Sequence, residues 1–427
     1  MLVDKHFENL GMVNWRRENS IVLHFARRIS EGDRLGSSIV DLRFRSGEFM
    51  LKVIPLLVNL NRLTMLTKVT STVLERGFYV LLLNCVLKNC LKLRHLKCLG
   101  VPFSGDIFGE MCKNSIILNL RTLHFDSVMD SASHRLNSFL GGCYSLIDLH
   151  IPSLILTHPI INMYREWELP ILSKTLRMLS VGGLLTIDLT RKVPSFRELL
   201  KYVNRPRGDT MLILSPLQIG KILDCQTLVE LVVPYTNITN IDFINIGHSL
   251  RNLKLLDVSA CFSLDAGGLR YFNLFTNLER LSIGFIFVSG RWLQELRNLK
   301  VLIITKCSIS FLRVLKLVYE LRNLEDIVIY NTIYQFETDF IVADYFEKEF
   351  DDFLKLWINQ DRKVNFYLEF LFSEFLERLN ELDDITVSDT VPSWLSEITS
   401  HINWLSVQSR VNVLVHRNLR TRYNNDE

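Results

Sequence analysis

Apolar residues return along this chain in one form, apolar-x-x-apolar-x-apolar, every twenty to thirty-odd positions. It reads Leu93-x-x-Leu96-x-Cys98, Leu120-x-x-Leu123-x-Phe125, Leu146-x-x-Leu149-x-Ile151 and Leu176-x-x-Leu179-x-Val181. After a break it resumes at Leu228-x-x-Leu231-x-Val233, Leu253-x-x-Leu256-x-Val258, Leu278-x-x-Leu281-x-Ile283, Leu299-x-x-Leu302-x-Ile304 and Leu324-x-x-Ile327-x-Ile329. Two fainter copies, Ile39-x-x-Leu42-x-Phe44 and Leu60-x-x-Leu63-x-Met65, precede them. The period of two inside each copy predicts a short strand with one face inward. Between copies the spacing turns helical, with Trp292, Leu293 and Leu296 on one face, as are Phe311, Val314, Leu315 and Val318.

Such units cannot bury their apolar faces alone, so they stack, and the pattern predicts an α/β leucine-rich-repeat solenoid. In this horseshoe, parallel strands line the concave face and helices the convex one. Between Leu179 and Leu231 the copies lie 52 residues apart, too far for one repeat. Met211 to Leu214 is the expected degenerate strand there, followed by a helix start at Ser215-Pro216, which brings the count to about twelve. Ser195-x-x-Glu198 has the form of a capping box for the preceding helix. Four regions result: an N-terminal helical cap over 1–38, repeats over 39–330 with a degenerate stretch near 184–215, an acidic C-terminal cap over 331–390, and a tail over 391–427. The first cap rests on Ile21, Val22, Phe25, Ala26 and Ile29 sharing a helical face. In the second, Phe336 to Trp357 and Ser373 to Leu382 read as helices around a final strand, Val364 to Phe370.

A hydrophobic content of 48% in 427 residues suffices for a continuous core. No run approaches the ~20 apolar residues of a membrane helix, and Met1-Leu-Val-Asp-Lys-His is no secretion signal. The eight cysteines are irregularly spaced with no C-x-x-C pair, which points to buried reduced thiols and a cytoplasmic or nuclear setting. The net charge of +3 conceals a polarity along the chain: residues 331–390 carry fifteen acidic against five basic residues.

One repeat is sharper than the rest. Leu253-Lys-Leu-Leu256-Asp257-Val258-Ser259-Ala260-Cys261, continuing through Leu264-Asp265-Ala266-Gly267-Gly268-Leu269, resembles the cysteine-containing leucine-rich repeat of the F-box/LRR family. That resemblance implies partner or substrate recognition in a ubiquitin-ligase-like or regulatory complex. An F-box opens near a leucine-proline pair, whereas the first proline here is Pro55, already among the repeats, so no F-box is recognisable.

Residues flanking the inward pair of each strand point to the concave face. Arg43, Arg45, Arg62, His95, Lys97, His124, Asp126, Asp148 and His150 are therefore the expected contacts for a protein partner of mixed charge. Farther along, the same columns present Val232, Leu255, Val301, Ile303, Val328 and Tyr330, whose apolar character calls for cover by a partner or by the C-terminal segment. His124 and His150 fall on neighbouring strands beside Asp126 and Asp148, an arrangement open to metal binding or to a plain polar binding face. No third strong ligand is identifiable, and no cofactor or metal is expected. No P-loop, G-x-S-x-G or H-E-x-x-H motif occurs, so an enzyme is not expected. Arg191, Lys192, Arg197, Lys201, Arg205 and Arg207 form a basic stretch opposed only by Glu198. It reads as solvated helix surface, as a dock for an acidic protein, or as part of a nucleic-acid-associated scaffold; sparse aromatics make nucleic acid the weakest of the three.

Overall fold

The computed structural model of the chain describes residues 41–45, 51–66, 73–104, 108–130, 133–156, 175–182, 212–284, 292–330, 364–368 and 385–388, apart from a few positions within those spans. The expected N-terminal cap, the 195–198 capping box, the basic stretch 191–207, the two C-terminal helices and the tail lie outside the described residues.

Fourteen strands form one parallel sheet. They are β1 (Asp41–Arg45), β2 (Arg62–Leu66), β3 (His95–Ser104), β4 (Thr122–Asp130), β5 (Asp148–Ile151), β6 (Leu154–Leu156), β7 (Met178–Val181), β8 (Glu230–Val232), β9 (Leu255–Asp257), β10 (Arg280–Gly284), β11 (Val301–Thr305), β12 (Asp326–Tyr330), β13 (Val364–Leu368) and β14 (Ile385–Ser388). Thirteen follow one another along the sheet in chain order, and β6 pairs with the far end of β4. The second apolar position keeps its register from turn to turn: Leu42 pairs with Leu63, then Leu96, Leu123, Leu149, Leu179, Leu231, Leu256, Leu281, Leu302, Ile327, Phe366 and Val387, and β3 and β4 shift register only farther along, between Cys98 and Pro102. One carbonyl per turn sets that register by accepting two N–H groups from the next turn. Arg94 O takes Arg121 N at 2.7 Å and Thr122 N at 3.1 Å, and Arg177 O takes Val229 N at 2.7 Å and Glu230 N at 3.0 Å. The long interval therefore interrupts the chain without interrupting the sheet.

Two outcomes differ from the sequence pattern. Among the described residues, Leu212 to Leu214 form no strand of the sheet, and Glu230 to Val232 pairs directly with β7. Leu212 makes a parallel bridge to Thr236, beyond the end of β8. The ladder also continues past Ile329: the expected final strand forms as β13, and β14 adds a further parallel strand from within the acidic segment. The β14 triplet, Ile385-Thr-Val387, lacks leucine and so escapes a leucine-based pattern.

The other face carries α1 (Val73–Asn89), α2 (Ser133–Gly141), α3 (Pro216–Leu223), α4 (Asn240–Ser249), α5 (Ala266–Leu269) and α6 (Phe311–Glu320). The 25 residues from Leu302 to Ile327 hold α6, whereas the described part of the 21 from Leu281 to Leu302 holds a 3-10 turn, Leu293–Glu295. The predicted start at Ser215-Pro216 is realised in α3, where Gln218 Oε1 accepts the Ser215 N–H at 2.7 Å. Thr239 caps α4 by accepting the Asp242 N–H. Inward leucines of the strands and apolar residues of the helices share one cluster from Ile54 to Ile327, with Phe108 in edge contact with Phe125 and Phe243 with Phe272. No helix among the described residues is long and apolar enough to cross a membrane.

Candidate functional site on the concave face

Strand alternation fixes the concave columns. The first residue of each strand makes one column, Asp41, Arg62, His95, Thr122 and Asp148, and the third makes another, Arg43, Thr64, Lys97, His124 and His150. The predicted residues are thereby brought onto one surface across β1 to β5. The backbones of Arg43, Arg45 and Asp126 lie in β1 and β4, while their side chains are outside what is described.

In the first column, side chains join across three strands. Thr122 Oγ1 lies 3.0 Å from His95 Nδ1 and donates to Asp148 Oδ2 at 3.1 Å. A threonine hydroxyl has one proton; once Asp148 takes it, His95 must present Nδ1–H to Thr122. Partial burial and the nearby Arg62 guanidinium hold the His95 pKa below its ordinary value, with Asp148 pulling the other way and Arg121 and Arg94 adding to the depression. The row is thus a neutral imidazole, a hydroxyl and a carboxylate, edged by exposed Arg62. It offers hydrogen bonds of both senses beside positive charge.

The second column seats His124 and His150 against one another. Their rings stack at 4.6 Å between centroids and 14° between planes, leaving 8% and 9% exposure. His150 Nε2 also sits 2.9 Å from Met178 Sδ. Each ring covers the face of the next, so the pair forms the floor of the surface. Two ligands of one zinc ion must aim nitrogen lone pairs at a point ~2.0–2.1 Å from each. Near-parallel stacking directs faces, rather than lone pairs, at one another.

Beyond β7 the columns change character. Val232, Leu255, Val301, Ile303 and Val328 are all under a tenth exposed, although none belongs to the inward core cluster. They are covered within the chain and present no free apolar face. Asp257 is buried with them at 1% exposure and accepts the Ser259 N–H at 2.9 Å. Burial pushes its carboxyl up to about 6, against the hydrogen bonds from Ser259 and Ser282, which lower it. Ser259 Oγ lies 3.1 Å from Ser282 Oγ on the next turn.

Cys261, the cysteine of the sharp repeat, plays a structural part. Its thiol donates to Val233 O of the preceding turn at 3.2 Å and lies 3.3 Å from Thr236 Oγ1, the residue in the same place one repeat earlier. Burial raises it to about 12. Cys98 and Cys261 are both fully buried and neither forms a disulfide, as expected for thiols used as small apolar groups.

Sequence reasoning missed a side-chain ladder behind the strands. Asn252, Asn277, Asn298 and Asn323 each donate Nδ2 to a carbonyl of the previous turn, of Gln226, Arg251, Thr276 and Arg297 respectively, at 2.7–3.1 Å. The signal was present as an asparagine directly before the first leucine of these four copies.

No protein-family model and no curated protein sequence matches the chain. Among solved structures it is similar to an internalin of Listeria monocytogenes, at 15% identity over 71% of this chain and 83% of that one, with a TM-score of 0.32. It is similar to the yeast Rad7 and Elc1 complex at 14% identity over 79% and 94%, with a TM-score of 0.37. It is also similar to a Leptospira interrogans LRR protein at 14% identity over 78% and 96%, with a TM-score of 0.29. The repeating strands, stacked in one parallel sheet with helices on the other face, give the chain an α/β leucine-rich-repeat solenoid fold.

Proposed function

We propose that this chain is a protein-recognition solenoid whose partner seats on the concave face of β1 to β5. The observation that carries the reading is the contrast along one sheet. Over β2 to β5 the concave columns hold accessible polar groups, Arg62, His95, Lys97, Thr122 and Asp148, whereas from β8 to β12 the same columns are largely buried. A solenoid concave face offers the broadest continuous contact area of such a fold. The partner surface expected there is mixed in charge, with carboxylates opposite Arg43 and Arg62 and a donor or acceptor opposite the His95–Thr122–Asp148 row. The cysteine-containing repeat at 253–269, similar to those of F-box/LRR proteins, supports a place in a ubiquitin-ligase-like or regulatory complex.

Affinity purification with mass spectrometry tests this, comparing the native chain with the pair Arg43→Glu and Arg62→Glu. The concave pair is expected to lose the partner while the fold melts unchanged, because exposed positions shift stability by only about ±0.5 kcal/mol. The matched pair Arg205→Glu and Arg207→Glu should retain it. Loss with the second pair alone would move the interface to the long interval, and nucleic acid released at high salt would favour the scaffold reading.

A further inference from the structure

Among the described residues, nine repeats enter their strands through the same tight turn, closed by an N–H donated to the carbonyl three residues back. The bond runs from Leu60 to Leu57, Leu93 to Cys90, Leu120 to Ile117 and Leu146 to Cys143, at 3.0–3.3 Å. Later copies do the same, from Leu228 to Cys225, Leu253 to Leu250, Leu278 to Phe275, Leu299 to Leu296 and Leu324 to Leu321, at 2.9–3.2 Å. The second residue of this turn points to solvent throughout. In the later turns it is polar: Gln226, Arg251, Thr276, Arg297 and Arg322. In four consecutive early turns it is Val58, Leu91, Leu118 and Tyr144, exposed at 51%, 64%, 45% and 73%. Those four are the majority of the seven large apolar residues exposed among the described residues. The backbone bond is the same in both sets, so the turn itself does not require an apolar side chain. Four in a row at one structural position make a stripe along the edge of β2 to β5, an arrangement scattered surface apolars do not give.

We propose that this stripe docks an acidic amphipathic helix of a partner protein. The spacing fits. Adjacent turns advance by the strand spacing of ~4.8 Å, and successive anchors on one helix face (i, i+3 or i+4, i+7, i+11) advance by about 5–6 Å. A strand laid along the row would place same-face residues ~6.8 Å apart and fall out of step. The charge fits as well. Residues 58–121 hold nine Lys and Arg against three Asp and Glu, a surplus of six. Exposed Lys92, Arg94 and Arg121 flank the stripe directly. Carboxylates beside the leucine face of the helix would meet them. This surface lies on the turn edge, four residues ahead of each strand, and the proposal does not rest on the concave-face reading.

The test uses the full chain and a synthetic helix with leucine along one face and glutamate on its flanks. Its partner probes are a twin carrying lysine for glutamate, and phosphatidylcholine vesicles containing phosphatidylserine. The acidic helix is expected to bind saturably and the lysine twin to fail. The triple variant Leu91→Ser, Leu118→Ser, Tyr144→Ser should weaken binding on the order of tenfold or more, with Leu217→Ser, another exposed leucine, as the unaffected control. Arg94→Glu with Arg121→Glu should weaken it too while leaving every apolar contact in place. Absence of binding, or binding indifferent to the triple variant, would overturn the proposal. So would stripe-dependent capture by the vesicles without helix binding, or stripe-dependent self-association in sedimentation.

Discussion

Asp257 shows how a side chain can leave the concave face of a strand and still be buried. Sequence alternation places it on the concave strand face, and the register confirms that column, but the side chain is buried and its carboxyl raised from 3.8 to about 6. Between those values the folded chain holds a proton that the unfolded chain has released. Stability contributed by this residue therefore falls as pH rises from about 4 to 6, and the cost persists at neutral pH, at about 3 kcal/mol for a two-unit shift. Asp257→Asn keeps an oxygen for the Ser259 N–H and removes the charge. Its urea midpoint should exceed that of the native chain at pH 7.5 and converge with it near pH 4. An equal advantage at both pH values would mean the effect has nothing to do with ionisation. The described members of the nine expected contact residues differ in exposure for a similar reason. Alternation says which face a side chain leaves from, yet only packing says that His124 and His150 cover one another while Arg62 stays open.

At the scale of elements, strands were legible because their leucines recur, and turns and helices only where a local signal accompanied them. Ser215-Pro216 announced α3 and the apolar run from Val364 announced β13, whereas the β14 triplet, built on Val387, carries no leucine to announce it. Direct pairing of β7 with β8 across the long interval is a non-local fact that no window of sequence contains. Glycines divide on the same principle. Gly268, in the short helix α5, sits where a Cβ would overlap Asn240 Oδ1 and come within 2.7 Å of Leu264 Cδ1. Asn240 is itself engaged there, donating to Asp265 Oδ1 at 2.7 Å and accepting the Asp265 N–H at 3.0 Å, so it cannot simply move aside. Gly220, inside α3, would place a Cβ in open space. Gly268→Ala should cost about 1–3 kcal/mol by overpacking, whereas Gly220→Ala should add up to ~1 kcal/mol of helix preference. Thermal melts of the two variants, one down and one up, check the assignment; a destabilised Gly220→Ala would show that α3 is crowded on that side.

At the scale of the whole molecule, charge and cooperativity follow from stacking in one dimension. Ion pairs run along the stack as hydrogen bonds do: Glu279 bridges Lys254 and Lys300 on the turns before and after it, at 2.6 and 3.0 Å. Those two lysines hold its carboxyl down to about 2. Each turn touches chiefly its neighbours, so damage should spread by adjacency and fade with distance. Leu256→Asp puts an unpaired charge at a fully buried position between Leu231 and Leu281. The local cost is several kcal/mol, the usual penalty for an uncompensated buried carboxylate. Native-state hydrogen exchange should then show protection lost first in β8 to β10, with β2 to β5 retaining more of theirs across the long interval. Leu217→Gln, on an exposed position of α3, serves as the matched control and should leave the exchange pattern unchanged. Uniform loss from β1 to β12 would instead mean that the array unfolds as a single cooperative block, and that the long interval between β7 and β8 insulates neither half from the other.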